Sequence, residues 1–243
     1  MGNSKKVYYA ETGTLPYLAR KHDVDHVAIS GYATRLPTGV FPSKNSVTVL
    51  KRLSELYPVE PCEDALSAAL MNAGPVIHPP LILMNAGPLE HFEKWDIHNE
   101  GTQPAIRKVT SALDAERIQI RESLGYAPPH FPLSDHYNKS GEGDEWMYGR
   151  AAHEKLTDSG DWREEIRFAD HRYILEDCRL GLSFLVSTGK WAGVKTPIAE
   201  GLLMIAGAIN GASYYDDGRT LEGFSLSEMT REELQTLLWE GFE

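Results

Sequence analysis

The chain has 243 residues, 42% of them hydrophobic and 24% charged, with a formal net charge of −11 at pH 7. That length accommodates one large domain, or a medium domain with a smaller piece attached, around a real core. The acidic surplus argues against nucleic acid or an anionic membrane as the main partner, while leaving room for a local basic pocket. The opening residues "MGNSKKVYYAETG" lack the apolar stretch of a signal peptide, and no run approaches the roughly 18 apolar residues of a membrane span. Cys62 and Cys178 are too few for a disulfide framework and show no metal-ligand spacing. A soluble, cytoplasmic protein without a metal is the expectation.

In chain order, residues 7–10, 26–32 and 39–42 are short, rich in β-branched or aromatic residues and bounded by Gly, Pro and Thr, which predicts strands. Residues 46–57 place Val47, Leu50, Leu53, Leu56 and Tyr57 on one helical face behind an Asn45 or Ser46 cap. Residues 62–90 are apolar and helical in pattern, with prolines inside. In one uninterrupted helix Met71, His78 and Asn85 would share a stripe. The same stretch repeats Met-Asn-Ala-Gly-Pro, at 71–75 and 84–88, an echo too short for a structural repeat. A long amphipathic helix over 103–124 opens at Pro104 and closes at Gly125. Helical segments follow in "DEWMYGRAAHEKLT", "HRYILEDCRLGLSFLVSTG" and "TPIAEGLLMIAGAING". A last short helix over 230–240 opens with Thr230 and Glu233 in a capping-box pattern. A sheet of two or three strands is marginal alone and leaves edges that seek partners. Residues 1–60 therefore read as the terminal portion of a larger α/β layer, and residues 61–243 as a helical domain. No GxGxxG follows any strand.

Three passages carry candidate chemistry. Pro79 and Pro80 remove backbone donors, free the carbonyls of Pro75 and Val76, and bend a helix beside His78. Gly74 and Gly87 would permit close approach of another backbone or a ligand. Spacing alone favours a core histidine satisfied by a freed carbonyl. In "ADHRYILEDCRLGL", Arg172 and Glu176 are four apart and suit an ordinary surface pair. Asp177 lies beside Cys178, next to residues that face the core, where a carboxylate needs a partner. In "YYAETGTLPYLAR", Glu11, Thr12 and Thr14 stand at the end of a strand, where ligands of α/β sheets collect, although a plain turn fits equally.

Taken in order, "AETGTLPYLAR", "NAGPVIHPPLILMNAG", "EGTQPAIRKVTSALDAERIQI", "DHRYILEDCRLGL", "GVKTPIAEGLL" and "DGRTLEGFSL" resemble the octopine/nopaline (opine) dehydrogenase family over nearly the whole chain. The resemblance implies a mainly α fold. A small remnant of a Rossmann-like α/β layer would precede an all-helical dehydrogenase substrate domain, similar to the C-terminal domain of 6-phosphogluconate dehydrogenase. It also implies reductive condensation of a 2-oxo acid with the amino group of an amino acid, dependent on NAD or NADP. His78, in "VIHPP", matches the family's catalytic histidine, and Asp177, in "YILEDC", the aspartate that pairs with it. An aspartate on one imidazole nitrogen fixes the tautomer and stabilises the protonated ring. The histidine could then polarise the oxo group and donate a proton as its oxygen leaves.

Arg172, in "DHRY", fits a bidentate clamp on the oxo acid's carboxylate. Asn72, Asn85 and Thr196 follow as supporting or substrate-contacting groups, and Trp146 as a wall of the amino-acid pocket or a plain core aromatic. Glu11, Thr12 and Thr14 are the candidates for contact with the cofactor. The family's glycine-rich phosphate turn has no counterpart in this sequence, so the dinucleotide would depend on another chain, or the domain has been repurposed. Two rival readings stand beside the enzyme: a non-catalytic helical binding or dimerisation module, and a related 2-oxo acid reductase. The expected partners are a small 2-oxo acid, an amino acid, and a second copy or a complementary nucleotide-binding chain.

Overall fold

A computed structural model describes residues 7–21, 23–133, 147 and 163–242. In chain order its elements are β1 (Tyr9–Thr12), β2 (Tyr17–Lys21), β3 (Val27–Tyr32), β4 (Leu36–Phe41), α1 (Ser46–Leu53), β5 (Val59–Pro61), α2 (Ala65–Ala69), α3 (Gly74–Met84) and α4 (Ala86–His91). There follow β6 (Trp95–Asp96), α5 (Pro104–Ser123), β7 (Arg163–Glu164), a π-helix (Tyr173–Leu182), α6 (Ser183–Ala192), α7 (Pro197–Asn210) and α8 (Arg231–Glu240). The protein is mainly helical, with a small sheet region near its N-terminus. The described residues fall into two compact units. The first is drawn from Met1–Asn72, Ser140–His153 and Met229–Glu243, the second from Ala73–Lys139 and Glu154–Glu228. The division lies beyond residue 60, and α8 joins the first unit.

In the first unit β4 is the middle strand of the order β1-β4-β5. It runs antiparallel to β1, with Tyr9 opposite Phe41, and parallel to β5, with Leu36 opposite Val59. Parallel neighbours cannot be joined by a tight turn, and α1 supplies the crossover between them. Burial follows position: Leu36 and Val40 in β4 are 1% and 0% exposed. Gly39 permits a close approach, since a Cβ there would fall 2.9 Å from the Ala65 Cα.

β2 departs from the sequence expectation. Pro16 and the polar residues before it read as a turn, yet Tyr17–Lys21 pair with β3 across a register shift between Leu18 and Ala19. The Tyr17 and Tyr32 rings, opposite each other, meet edge to face at 5.5 Å. α1 ends at Leu53 rather than Tyr57, because Pro58 disfavours helical geometry at the residue before it. The capping box of α8 forms as read: Thr230 Oγ1 accepts from the Glu233 amide at 3.2 Å, and Glu233 Oε2 accepts from the Thr230 amide at 2.8 Å.

In the second unit α3, α5, α6, α7 and the π-helix share a core that includes Val76, Ile82, Leu113, Ile120, Ile174 and Leu182. Each such side chain contributes about 1.5–3 kcal/mol by leaving water. The two Met-Asn-Ala-Gly-Pro copies flank α3, and each sets its proline in the first turn of a helix, Pro75 in α3 and Pro88 in α4. A missing amide hydrogen costs nothing there. The stretch Ala65–Met84 is long and apolar enough to cross a membrane, but 56% of it is buried within the protein and a turn divides α2 from α3. The stripe imagined through Met71, His78 and Asn85 is broken by that turn; Met71 lies before α3 and Asn85 closes it. Gly87 faces open space rather than a close neighbour.

α5 opens at Pro104 and is followed by Gly125 at φ 84°, as its sequence implies. It carries a buried ion pair, Arg117 Nε to Asp114 Oδ1 at 2.7 Å, whose side chains are 3% and 4% exposed. The pair also pins the segment after α5: Asp114 Oδ2 accepts from the Leu133 amide at 2.7 Å, and Arg117 donates to the His130 carbonyl at 2.8 Å.

The loop after α7 is fastened to α6 by two serines. Ser183 Oγ accepts from the Arg219 amide and Ser187 Oγ from the Leu221 amide, each at 2.8 Å. Ser187 also donates to Glu222 Oε2 at 2.6 Å, and Tyr215 donates to Oε1 at 3.0 Å. Burial works to raise the Glu222 pKa, but hydrogen bonds from Ser187, its own backbone, Tyr215 and Lys190 outweigh it and hold the carboxyl at about 2. A carboxyl held below its ordinary 4.5 stabilises the fold above that pH, and the contribution is lost as pH falls toward 2. With the Glu222 side chain 39% exposed and partly screened, the effect is on the order of 1 kcal/mol. Urea midpoints measured from pH 6 down to pH 2.5 should fall less steeply for Glu222→Gln than for the wild type.

Candidate functional site

The segment "YILEDCRLGL" winds as a π-helix where its sequence reads as an ordinary helix. Bonding from i to i+5 adds a residue to each turn, and such stretches recur at functional sites. Here Tyr173 and Asp177 both reach His78, which stands on α3, 99 residues before Asp177 in sequence. The close approach of α3 to the π-helix depends on Gly181, where a Cβ would fall 2.6 Å from the Pro75 Cβ. Gly181→Ala should therefore cost about 1–3 kcal/mol of stability by overpacking, read as a lower thermal midpoint.

His78 Nδ1 lies 2.8 Å from Asp177 Oδ2, with side-chain exposures of 16% and 13%. An ionised carboxylate only accepts, so Nδ1 carries the hydrogen and Nε2 is the nitrogen left for proton exchange. Among the described residues, Nε2 of His78 makes no hydrogen bond. The imidazole plane stacks on the Tyr173 ring, centroids 3.7 Å apart and 10° from parallel. Tyr173 Oη pairs with His98 Nε2 at 2.8 Å, and the His78 and His98 rings meet edge to face at 6.3 Å.

Arg172 is exposed, its guanidinium carbon 5.5 Å from the centre of the Tyr173 ring. It makes no ion pair among the described residues, and the surface pair with Glu176 that its spacing suggests does not form. A guanidinium over an aromatic ring beside a histidine–aspartate pair can hold a carboxylate near a proton donor. Cys178, next to Asp177, is 0% exposed, and burial with the neighbouring carboxylate pushes its thiol pKa up, which makes it inert.

The other candidates serve elsewhere. Asn85 is 4% exposed and fully used: its Nδ2 donates to the Leu81 and Gly101 carbonyls at 2.8 and 3.1 Å, and its Oδ1 accepts from Trp95 Nε1 at 3.0 Å. It supports the loop that carries His98 rather than presenting an amide to a ligand. Thr196 is 1% exposed and donates to Glu200 Oε1 at 3.2 Å. The amides at the start of α7 are taken by Glu116, which accepts from Ile198 at 2.7 Å and Ala199 at 3.0 Å. Burial raises the Glu116 pKa against the lowering effect of those two bonds. Asn72 is exposed in the turn after α2, in the first unit. Trp146 lies outside the described residues.

Glu11, Thr12 and Thr14 also belong to the first unit. The Thr12 hydroxyl donates to the Thr14 carbonyl at 2.8 Å, and a Cβ at Gly13 would fall 2.6 Å from the Met71 Cβ. That turn is closed and filled. α1 is entered through Pro42 and a 3-10 turn, Ser43–Asn45, rather than a glycine-rich one. Among the described residues, no glycine-rich turn of the kind that cradles a dinucleotide's pyrophosphate opens a helix behind a strand.

Two residues of the cluster, Tyr173 and His98, carry no signal in the sequence. Tyr173 alternates with no pattern that separates it from a core aromatic, and His98 lies in an irregular loop 75 residues away.

A sequence profile described as "NAD/NADP octopine/nopaline dehydrogenase, alpha-helical domain" matches residues 61–210. The opine dehydrogenase of Arthrobacter sp. (strain 1C) is 24% identical over 93% of this chain and 62% of its own length. The vitopine synthase of Allorhizobium ampelinum is 28% identical over 72% of this chain and 48% of its own. The chain thus spans about half to two thirds of these relatives. An octopine dehydrogenase solved with NADH and agmatine is 16% identical and superposes at a TM-score of 0.64, covering 97% of this chain and 66% of that one. A yersinopine dehydrogenase without ligand gives 0.57 at 14% identity, over 96% of this chain and 65% of that one. At such identities the likeness shows the fold alone.

Proposed function

The chain belongs to the octopine/nopaline dehydrogenase family, and we propose that its helical unit carries the acid–base and carboxylate-holding part of an opine-forming oxidoreductase. The proposed reaction joins a 2-oxo acid to the amino group of an amino acid, with NAD(P)H as the hydride source. The observation that supports it is the His78–Asp177 pair at 2.8 Å, with the Arg172 guanidinium on the edge of the same aromatic cluster.

Arg172 holds the oxo acid's carboxylate through two parallel N–H bonds. The substrate amine adds to the carbonyl carbon to form a carbinolamine. Protonated Nε2 of His78 gives its proton to the carbinolamine oxygen as the C–O bond breaks, water leaves, and the iminium ion forms beside a now neutral imidazole. Asp177 accepts from Nδ1 and stabilises the imidazolium before that transfer. Pyruvate, L-arginine and agmatine, with which related octopine dehydrogenases have been solved, are the first substrates to try.

Calorimetric titration with pyruvate tests the reading. Wild-type protein should bind it, and Arg172→Leu should weaken binding by about 10- to 100-fold, the worth of a charge-assisted pair. Equal affinity in both proteins would remove the clamp. The turn at Glu11–Thr14 favours a second reading, a binding module that performs no redox chemistry by itself. Pyruvate binding with no response to NADH or NADPH would support it.

A further inference from the structure

We propose that Tyr173 and His98 form a second positioning arm for His78, an inference that rests on the reading of His78 as the proton donor. The hydrogen bond that Nδ1 donates to Asp177 restrains the imidazole along one edge only and leaves the ring free to rock about that bond. Tyr173 removes this freedom, because its ring lies under the imidazole at 3.7 Å and 10°. A stacked platform is useful only if it is itself fixed. Tyr173 is 5% exposed, its backbone begins the π-helix, and its hydroxyl is pinned by His98 at 2.8 Å.

His98 is fixed in turn by its loop. Asp96, 3% exposed, accepts from the Asn99 amide and from Asn99 Nδ2, both at 3.0 Å. Asn85, at the end of the helix that carries His78, donates to the Gly101 carbonyl at 3.1 Å and so ties the far side of that loop to α3. The imidazole is therefore held by its edge through the π-helix carboxylate and by its face through a clamped tyrosine. Arg172 shares the same ring at 5.5 Å, so the platform also fixes the carboxylate clamp relative to the proton donor.

Histidine-selective carbon-13 labelling of the whole chain, with proton–carbon correlation spectra, tests the arm without substrate or cofactor. Ring protons of His78 should appear upfield of those of a free histidine, shielded by the Tyr173 ring. Tyr173→Phe should keep most of that shift and Tyr173→Leu should lose it. Tyr173→Phe and His98→Phe remove the same hydrogen bond, so each should displace the His78 signals and the double variant should displace them no further than either alone. His78 signals unchanged in Tyr173→Leu would overturn the platform. Additive displacements, or none in His98→Phe, would overturn the clamp. Should Tyr173→Leu fail to fold, the two Phe variants and their double decide alone. Pyruvate added to each sample separates the two readings. An arm that holds while pyruvate leaves His78 unmoved retains this inference and removes the proposed function. A pyruvate response in a protein whose His78 signals ignore Tyr173 does the reverse.

Discussion

Asp177→Asn should lower the rate of the proposed opine formation by about 10²–10⁴-fold while the Michaelis constant for the oxo acid changes little. The carboxylate accepts from His78 Nδ1 at 2.8 Å and supplies a full negative charge beside an imidazolium. An asparagine of the same shape has no charge and offers a donor as readily as an acceptor. The ring can then take the other tautomer, with the hydrogen on Nε2 when neutral and less stabilisation when protonated. Substrate affinity is left to Arg172, which makes no hydrogen bond or ion pair with Asp177. The measurement is pyruvate with L-arginine, followed as NAD(P)H oxidation. A parallel arm uses cyanoborohydride as the reductant and reads stereochemical excess over the uncatalysed product. His78→Ala should match Asp177→Asn in both arms. Wild-type rates in either variant would remove the pair from the mechanism, whereas loss confined to the NAD(P)H arm would place the defect with the dinucleotide.

The largest stability effect is expected from Asp114→Ala, about 3–5 kcal/mol, read as a lower urea midpoint. It breaks a buried ion pair, taking from Arg117, 2% exposed, the carboxylate that accepts from its Nε, and it deprives the Leu133 amide of its acceptor. Replacing both members with apolar residues of similar volume, Asp114→Leu with Arg117→Met, should cost much less, because both buried charges are then removed together. A double variant no better than Asp114→Ala would show that the backbone contacts of Arg117 to His130 and Phe131, at 2.8 and 3.3 Å, outweigh the ion pair.

Local chemistry was legible where a rule acts over a few residues. The Pro104 start and Gly125 stop of α5, the Thr230–Glu233 capping box and the strand signal of β3 each depend on neighbours within a turn or a hairpin. β2 escaped because its pairing with β3 outweighs the turn signals before it, and a bulge hides its alternation. His78, Asp177 and Arg172 stand out through ordered motifs shared with a family; their spacing also suits a core histidine and a surface pair. Asn85 was visible as a polar residue within an apolar stretch and Thr196 as one at a helix start, and only their partners assign them to structural bonds.

By itself, the sequence determined the helical character of the chain, the ends of its long helices and the family to which it belongs. These follow from periodicity, capping and motif order, all of which are local or linear. Only the tertiary structure decided that residues 99 apart form one hydrogen-bonded pair, that a stretch read as an ordinary helix winds as a π-helix, and that Tyr173 lies flat beneath the imidazole. The physical reason is that ring stacking, the depth of Pro75 against Gly181 and the choice between i+4 and i+5 bonding arise from packing between elements. No residue's own preference encodes the partner it will meet across the core.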